Sequence, residues 1–123
     1  MDRCDSCRFI YADVAAPVLP ARLAAFGAQY AALLLPPGRS AAWFGILRTR
    51  PEEVTEQLAT AARLIAQAFA GLDAAQLQRR CIYNFPAPTE RSLLWVGQHA
   101  IHEGEHHFRD IERGIARVRA PAG

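Results

Sequence analysis

Lysine is missing from this 123-residue chain: all 14 basic residues are arginine, set against 12 acids for a formal net charge of +2. So small an excess, scattered along the sequence, does not build the continuous basic surface that nucleic acid requires. Arginine without lysine, alongside abundant alanine, is what GC-rich codons produce, and describes a genome before it describes a function. No apolar run approaches the roughly 18–20 residues that cross a bilayer. The opening "MDRCDSCRFI" carries acids and cysteines where a secretion signal needs an apolar stretch, so a cytoplasmic protein that does not engage membranes is expected. Cysteines number three, an odd count that argues against a disulfide framework. There is no glycine-rich phosphate loop and no arguable Ser–His–Asp set. Histidine is absent before position 99.

What is present describes one globular domain. Apolar residues make up 51% of the chain and charged residues 21%, ordinary values for a soluble protein of this size. Residues 1–19 read as an irregular lead-in containing the "CDSC" pair, residues 20–118 as a helical domain, and 119–123 as a disordered tail. From Pro20 to Leu35, Leu23, Phe26, Tyr30 and Leu33 recur at helical spacing until "PPG" ends the run. The segment "RSAAWFGILRTR" is apolar but too short to assign. A second helix starts at Pro51, with Glu52 and Glu53 complementing its positive end and Gly71 suiting its stop. Its expected core face is Val54, Leu58, Ala61, Ile65 and Ala68. Asp73 is placed to cap a short turn, and "CIYNFPAPT" reads as extended. Thr89 then caps a long final helix reaching Val118. The expected architecture is all-α, with three main helices in a bundle.

All four histidines fall in "HAIHEGEHHFRD", at positions 99, 102, 106 and 107. On a helical wheel, Leu93, Val96, Ala100, Ile101, Phe108, Ile111, Ile115 and Val118 share an apolar arc. His107 falls within that arc and Glu103 at its border. His102 falls on the wet side, with His99 and His106 between. Two metal readings compete. His102, Glu103 and His106 spell H-E-x-x-H, the zinc-peptidase string, but the wheel points His102 at solvent, and the downstream positions lack the glycine and histidine of the extended pattern. Glu103 and His107 stand one turn apart and face inward, a carboxylate and an imidazole that suit Zn²⁺, Ni²⁺ or Fe²⁺. Burying that pair is unfavourable unless its members satisfy each other or a metal. His99 or His106 could complete such a site within the same helix. A third reading leaves the run as a polar surface on a non-catalytic interaction module.

"CDSC" lacks the strand-before, helix-after setting of thioredoxin-like redox motifs. It stands either as a pair of free thiols, with Cys81 buried elsewhere, or as half of a zinc site that Cys81 and a histidine would complete if the fold allowed it.

The stretch "RSLLWVGQHAIHEGEHHFRDIERG" resembles the last helix of DinB-like proteins, helical bundles that often hold a divalent metal. "CIYNFPAPTERSLLW" and "LATAARLIAQAFAGLD" extend the likeness over roughly residues 20–118. In that family two ligands come from the last helix at i and i+4, which the resemblance places at Glu103 and His107. It also implies a low-molecular-weight thiol co-substrate and a small-molecule substrate, since relatives include mycothiol-dependent isomerases and S-transferases; an active member would be an S-transferase or hydrolase. The family's remaining ligand is a histidine on its second helix. This chain carries none there and reads as lacking that helix, so the site is expected to be incomplete. A bundle short of one helix exposes an apolar face, from which a homodimer is expected.

Overall fold

A computed structural model describes residues 2–34 and 51–119. The unassigned segment "RSAAWFGILRTR" lies wholly outside them, as does most of the expected tail. Three long helices dominate: α1 (Leu19–Leu34), α2 (Pro51–Ala70) and α4 (Leu93–Arg119). Between the last two come a one-turn helix α3 (Ala74–Leu77) and an antiparallel hairpin, β1 (Arg80–Tyr83) with β2 (Thr89–Ser92), in which Cys81 faces Arg91. Asp73 caps α3 as expected: its Oδ1 accepts from the Gln76 N–H at 2.8 Å, while the Gln76 side chain accepts from the Asp73 N–H at 2.9 Å.

One boundary and one face differ from expectation. Thr89 does not cap the last helix. Its strand pairs with residues 80–83, which satisfies that backbone, and the cap passes to Ser92, whose Oγ accepts from the Trp95 N–H at 3.1 Å. On α2 the buried positions are Thr55, Ala62 and Ala66, with Leu58 and Phe69 packed at their margin. Val54 and Ile65, expected inside, are 41% and 44% exposed. The reason is backbone proximity: a Cβ added at Gly27 would lie 2.9 Å from Ala59. Where two helices approach that closely, the contact belongs to small side chains, and larger ones are displaced to the flanks.

The core forms where α1, α2 and α4 meet, around Leu19, Leu23, Phe26, Tyr30, Ala62, Ala66 and Ile101. Its tightest point is Gly104, where a Cβ would fall 2.4 Å from the Phe26 ring and whose carbonyl accepts from the Tyr30 hydroxyl at 2.6 Å. Opposite this contact, α4 is covered by the lead-in. Residues 2–18 form a turn closed by the Cys4 N–H to the Phe9 carbonyl at 2.8 Å, then two 3₁₀ turns at Tyr11–Asp13 and Ala16–Val18. Val14 and Tyr11 are almost wholly buried by this docking.

Candidate metal centre

The lead-in sets which face of α4 is dry. Phe9 and Tyr11 lay their rings against His102, with centroids 5.3 and 5.6 Å away. The Gln98 amide donates to the Val14 carbonyl at 3.0 Å, and the Arg109 guanidinium to the Cys7 carbonyl at 3.1 Å. The buried line of the helix therefore runs through Gly97, Ile101 and His102. This reverses the wheel: His102, expected at solvent, is 5% exposed, and the His107 side chain, expected within, is 63% exposed. Glu105 makes an ion pair with Arg22 of α1. Ile111 and Val118, expected inside, are 37% and 74% exposed. The wheel weighs only the helix's own residues, whereas here an external segment brings aromatic rings and polar partners to the polar side.

Two donor groups result. Cys4, Cys7, His102 and His106 bring one ligand atom each to within 4.8 Å of one another. His99, His102 and Glu103 form a second group of the same kind. Of the residues singled out in the sequence, His107 joins neither; its Nε2 lies 3.0 Å from Glu103 Oε2. Cys81 also stands apart, its thiol directed at the Arg91 carbonyl at 3.5 Å. All three cysteines are free thiols.

The cysteine turn is shaped to present both sulfurs together. The Arg8 N–H donates to the Cys4 carbonyl at 2.8 Å, and Arg8 takes φ 62°, left-handed backbone that a non-glycine residue adopts only when its surroundings hold it there. The Ser6 hydroxyl lies 3.2 Å from Cys4 Sγ. That hydrogen bond, joined by one from the Cys7 backbone N–H, draws the Cys4 thiol down to about 5, while burial pushes Cys7 up. One sulfur is thus readily a thiolate, the form that binds metals.

Each histidine of the first group has one nitrogen engaged and one left over. His102 Nδ1 lies 3.1 Å from the Tyr11 hydroxyl, and its Nε2 is buried without a hydrogen-bond partner. His106 Nε2 lies 3.5 Å from Asp110 Oδ2, while its Nδ1 lies 3.9 Å from Cys4 Sγ. Asp110 is held anionic by the hydrogen bond from Arg113. Tyr11, which sequence reasoning missed, also reaches His99 Nδ1 at 2.6 Å, and burial pushes its phenol up to about 12. His99 stacks on Trp95 with centroids 4.6 Å apart, and burial holds its imidazole below the usual range. His99 and Glu103, with Tyr83, Phe85 and Trp95, line a pocket of about 190 Å³ between α4 and the hairpin.

A family profile for the DinB superfamily matches residues 10–111, and the chain belongs to that superfamily. Neither a curated protein nor a solved structure matches it. The Glu103–His107 pair implied by the family likeness meets in space but gathers no third donor among the described residues. Residues 35–50 contain no histidine, cysteine or acid to supply one. Among the described residues no helix is long and apolar enough to cross a membrane.

Proposed function

We propose that this member of the DinB superfamily binds a divalent metal ion through the first half of α4. One observation carries the reading: His102 Nε2 is buried with no hydrogen-bond partner, on a residue that belongs to both groups of metal-type donors. A buried ring nitrogen left unpaired is destabilising by roughly 1–3 kcal/mol, and in the tautomer that carries hydrogen on Nδ1 its lone pair would be satisfied by a cation. Elemental analysis of protein purified without added metal tests this. About one equivalent per chain is expected, and a metal-free, folded protein would end the proposal.

A second reading keeps the thiol-transferase or hydrolase chemistry of the ancestry. A metal on His99, His102 and Glu103 would face the 190 Å³ pocket, where it could activate water or a low-molecular-weight thiol toward a small-molecule substrate. It is the weaker reading, because the Tyr11 hydroxyl already engages Nδ1 of both histidines. It stands if Glu103→Gln empties the protein of metal. The peptidase reading needs an open coordination position beside His102 and His106, which is where the two thiols lie.

We also propose self-association through the outer face of α2, where Leu64 and Ile65 are 61% and 44% exposed. Light scattering at micromolar concentration should give twice the 13.6 kDa of one chain; a 13.6 kDa species alone overturns it.

A further inference from the structure

We infer that Cys4, Cys7, His102 and His106 form a closed, four-ligand zinc centre that pins the start of the chain onto its last helix. The inference rests on the metal-binding reading above and goes beyond it by fixing the ligand set, the metal and its task. The cysteine turn lies outside the region matched by the family, which begins at residue 10. The centre is therefore distinct from the Glu103–His107 pair that the family likeness points to.

Four arguments converge on it. The donor atoms lie within 4.8 Å of one another, so a small inward movement brings them to tetrahedral positions around an ion about 2.0–2.3 Å from each. C-x₂-C on a tight turn and H-x₃-H on a helix are spacings that put both members of each pair on one side, toward one ion. Two thiolates and two neutral imidazoles around Zn²⁺ carry no net charge, so the assembly can sit among buried groups without an uncompensated ion. On binding, each thiol still protonated gives its proton to solvent.

The outer contacts assign the nitrogens. With Nε2 of His102 on the metal, its Nδ1 must carry hydrogen and donate to the Tyr11 oxygen, 3.1 Å away. The Tyr11 O–H then donates to His99 Nδ1 at 2.6 Å. With Nδ1 of His106 on the metal, its Nε2–H faces the Asp110 carboxylate, with Oδ2 3.5 Å away. Both ligands thus have an oxygen acceptor behind them, the arrangement that orients imidazoles in zinc sites. Cys4 and His102 are buried and Cys7 and His106 half-buried. With four protein donors no position remains for substrate or water, so the centre is structural rather than catalytic.

The test is metal analysis joined to cobalt substitution of the full chain. Protein as purified is expected to hold about one zinc per chain. Cobalt exchanged into it should show intense tetrahedral visible bands together with a thiolate-to-cobalt charge-transfer band in the near ultraviolet. The double variant Cys4→Ser, Cys7→Ser and the variant His106→Ala should each lose zinc, while His107→Ala keeps it. The cobalt spectrum needs no variant, so it decides the matter even if the substituted proteins fail to fold. Bound cobalt lacking the thiolate band would overturn this centre and leave the broader metal-binding reading standing. A folded chain with no affinity for zinc or cobalt would overturn both.

Discussion

The two sides of α4 are held down by opposite means. Toward α1 and α2 the helix packs by shape: Gly104 admits the Phe26 ring and Ile101 is fully enclosed. Toward residues 2–18 it packs by chemistry, through imidazoles, a phenol, thiols and a carboxamide. An apolar interface gains from every square ångström removed from water and tolerates modest misfit. A polar one is favourable only when its donors and acceptors are matched, and an unmatched member counts against it. The first side can thus stand unaided. The second leaves His102 Nε2 unpartnered, and the proposed ion would complete it.

Perturbing each side separately should expose that difference. The largest effect is expected from stripping metal with a strong chelator. Residues 2–18 should lose amide-exchange protection, and the unfolding free energy should drop by on the order of several kcal/mol, while exchange in α1 and α2 stays slow. Unchanged exchange at Tyr11 and Val14 would show that the lead-in holds without an ion. Gly104→Ala attacks the other side by forcing a methyl into the Phe26 ring, and should lower stability to denaturant by about 1–3 kcal/mol. Its metal content should stay at the wild-type level; a joint loss would mean that the two faces are one cooperative unit. Tyr11→Phe removes the hydroxyl behind His102 and His99, and should weaken zinc affinity by about tenfold to a hundredfold in a competitive chelator titration. An affinity equal to wild type would remove Tyr11 from the site's support. Smallest is His107→Ala. Because its partner Glu103 is a neighbour on an exposed helix surface, the melting free energy should move by less than about 1 kcal/mol, and a larger loss would make the family-type pair structural after all.

Much of the architecture was legible in the residues, and the errors share a cause. Periodicity located α1 within one residue at each end, Pro51 marked the start of α2, and Asp73 announced the capping box. Those features depend on neighbours in the chain. The rotation of α4 does not: it depends on what packs against it from nearly a hundred residues away. A wheel follows only the helix's own apolar arc, so it placed His102 outside and His107 inside. The contact of Tyr11 with two histidines left no local trace. The cysteine–histidine group did leave one, because C-x₂-C and H-x₃-H are each metal-ligand spacings, and pairing the two motifs would have named all four donors. Val54 and Ile65 misled for another reason: the close approach of Gly27 to Ala59 reserves the α1–α2 contact for small residues.

The docking of the cysteine turn on α4 also has a topological meaning. Cys4 and His106 are 102 positions apart in sequence, so a bond through one ion would turn almost the whole chain into a ring. A cross-link closing a loop of that length removes conformational freedom from the unfolded ensemble equivalent to roughly 4–5 kcal/mol by the chain-entropy account. A single ion would then act on every element at once, including those it never touches, by leaving the unfolded chain fewer ways to exist.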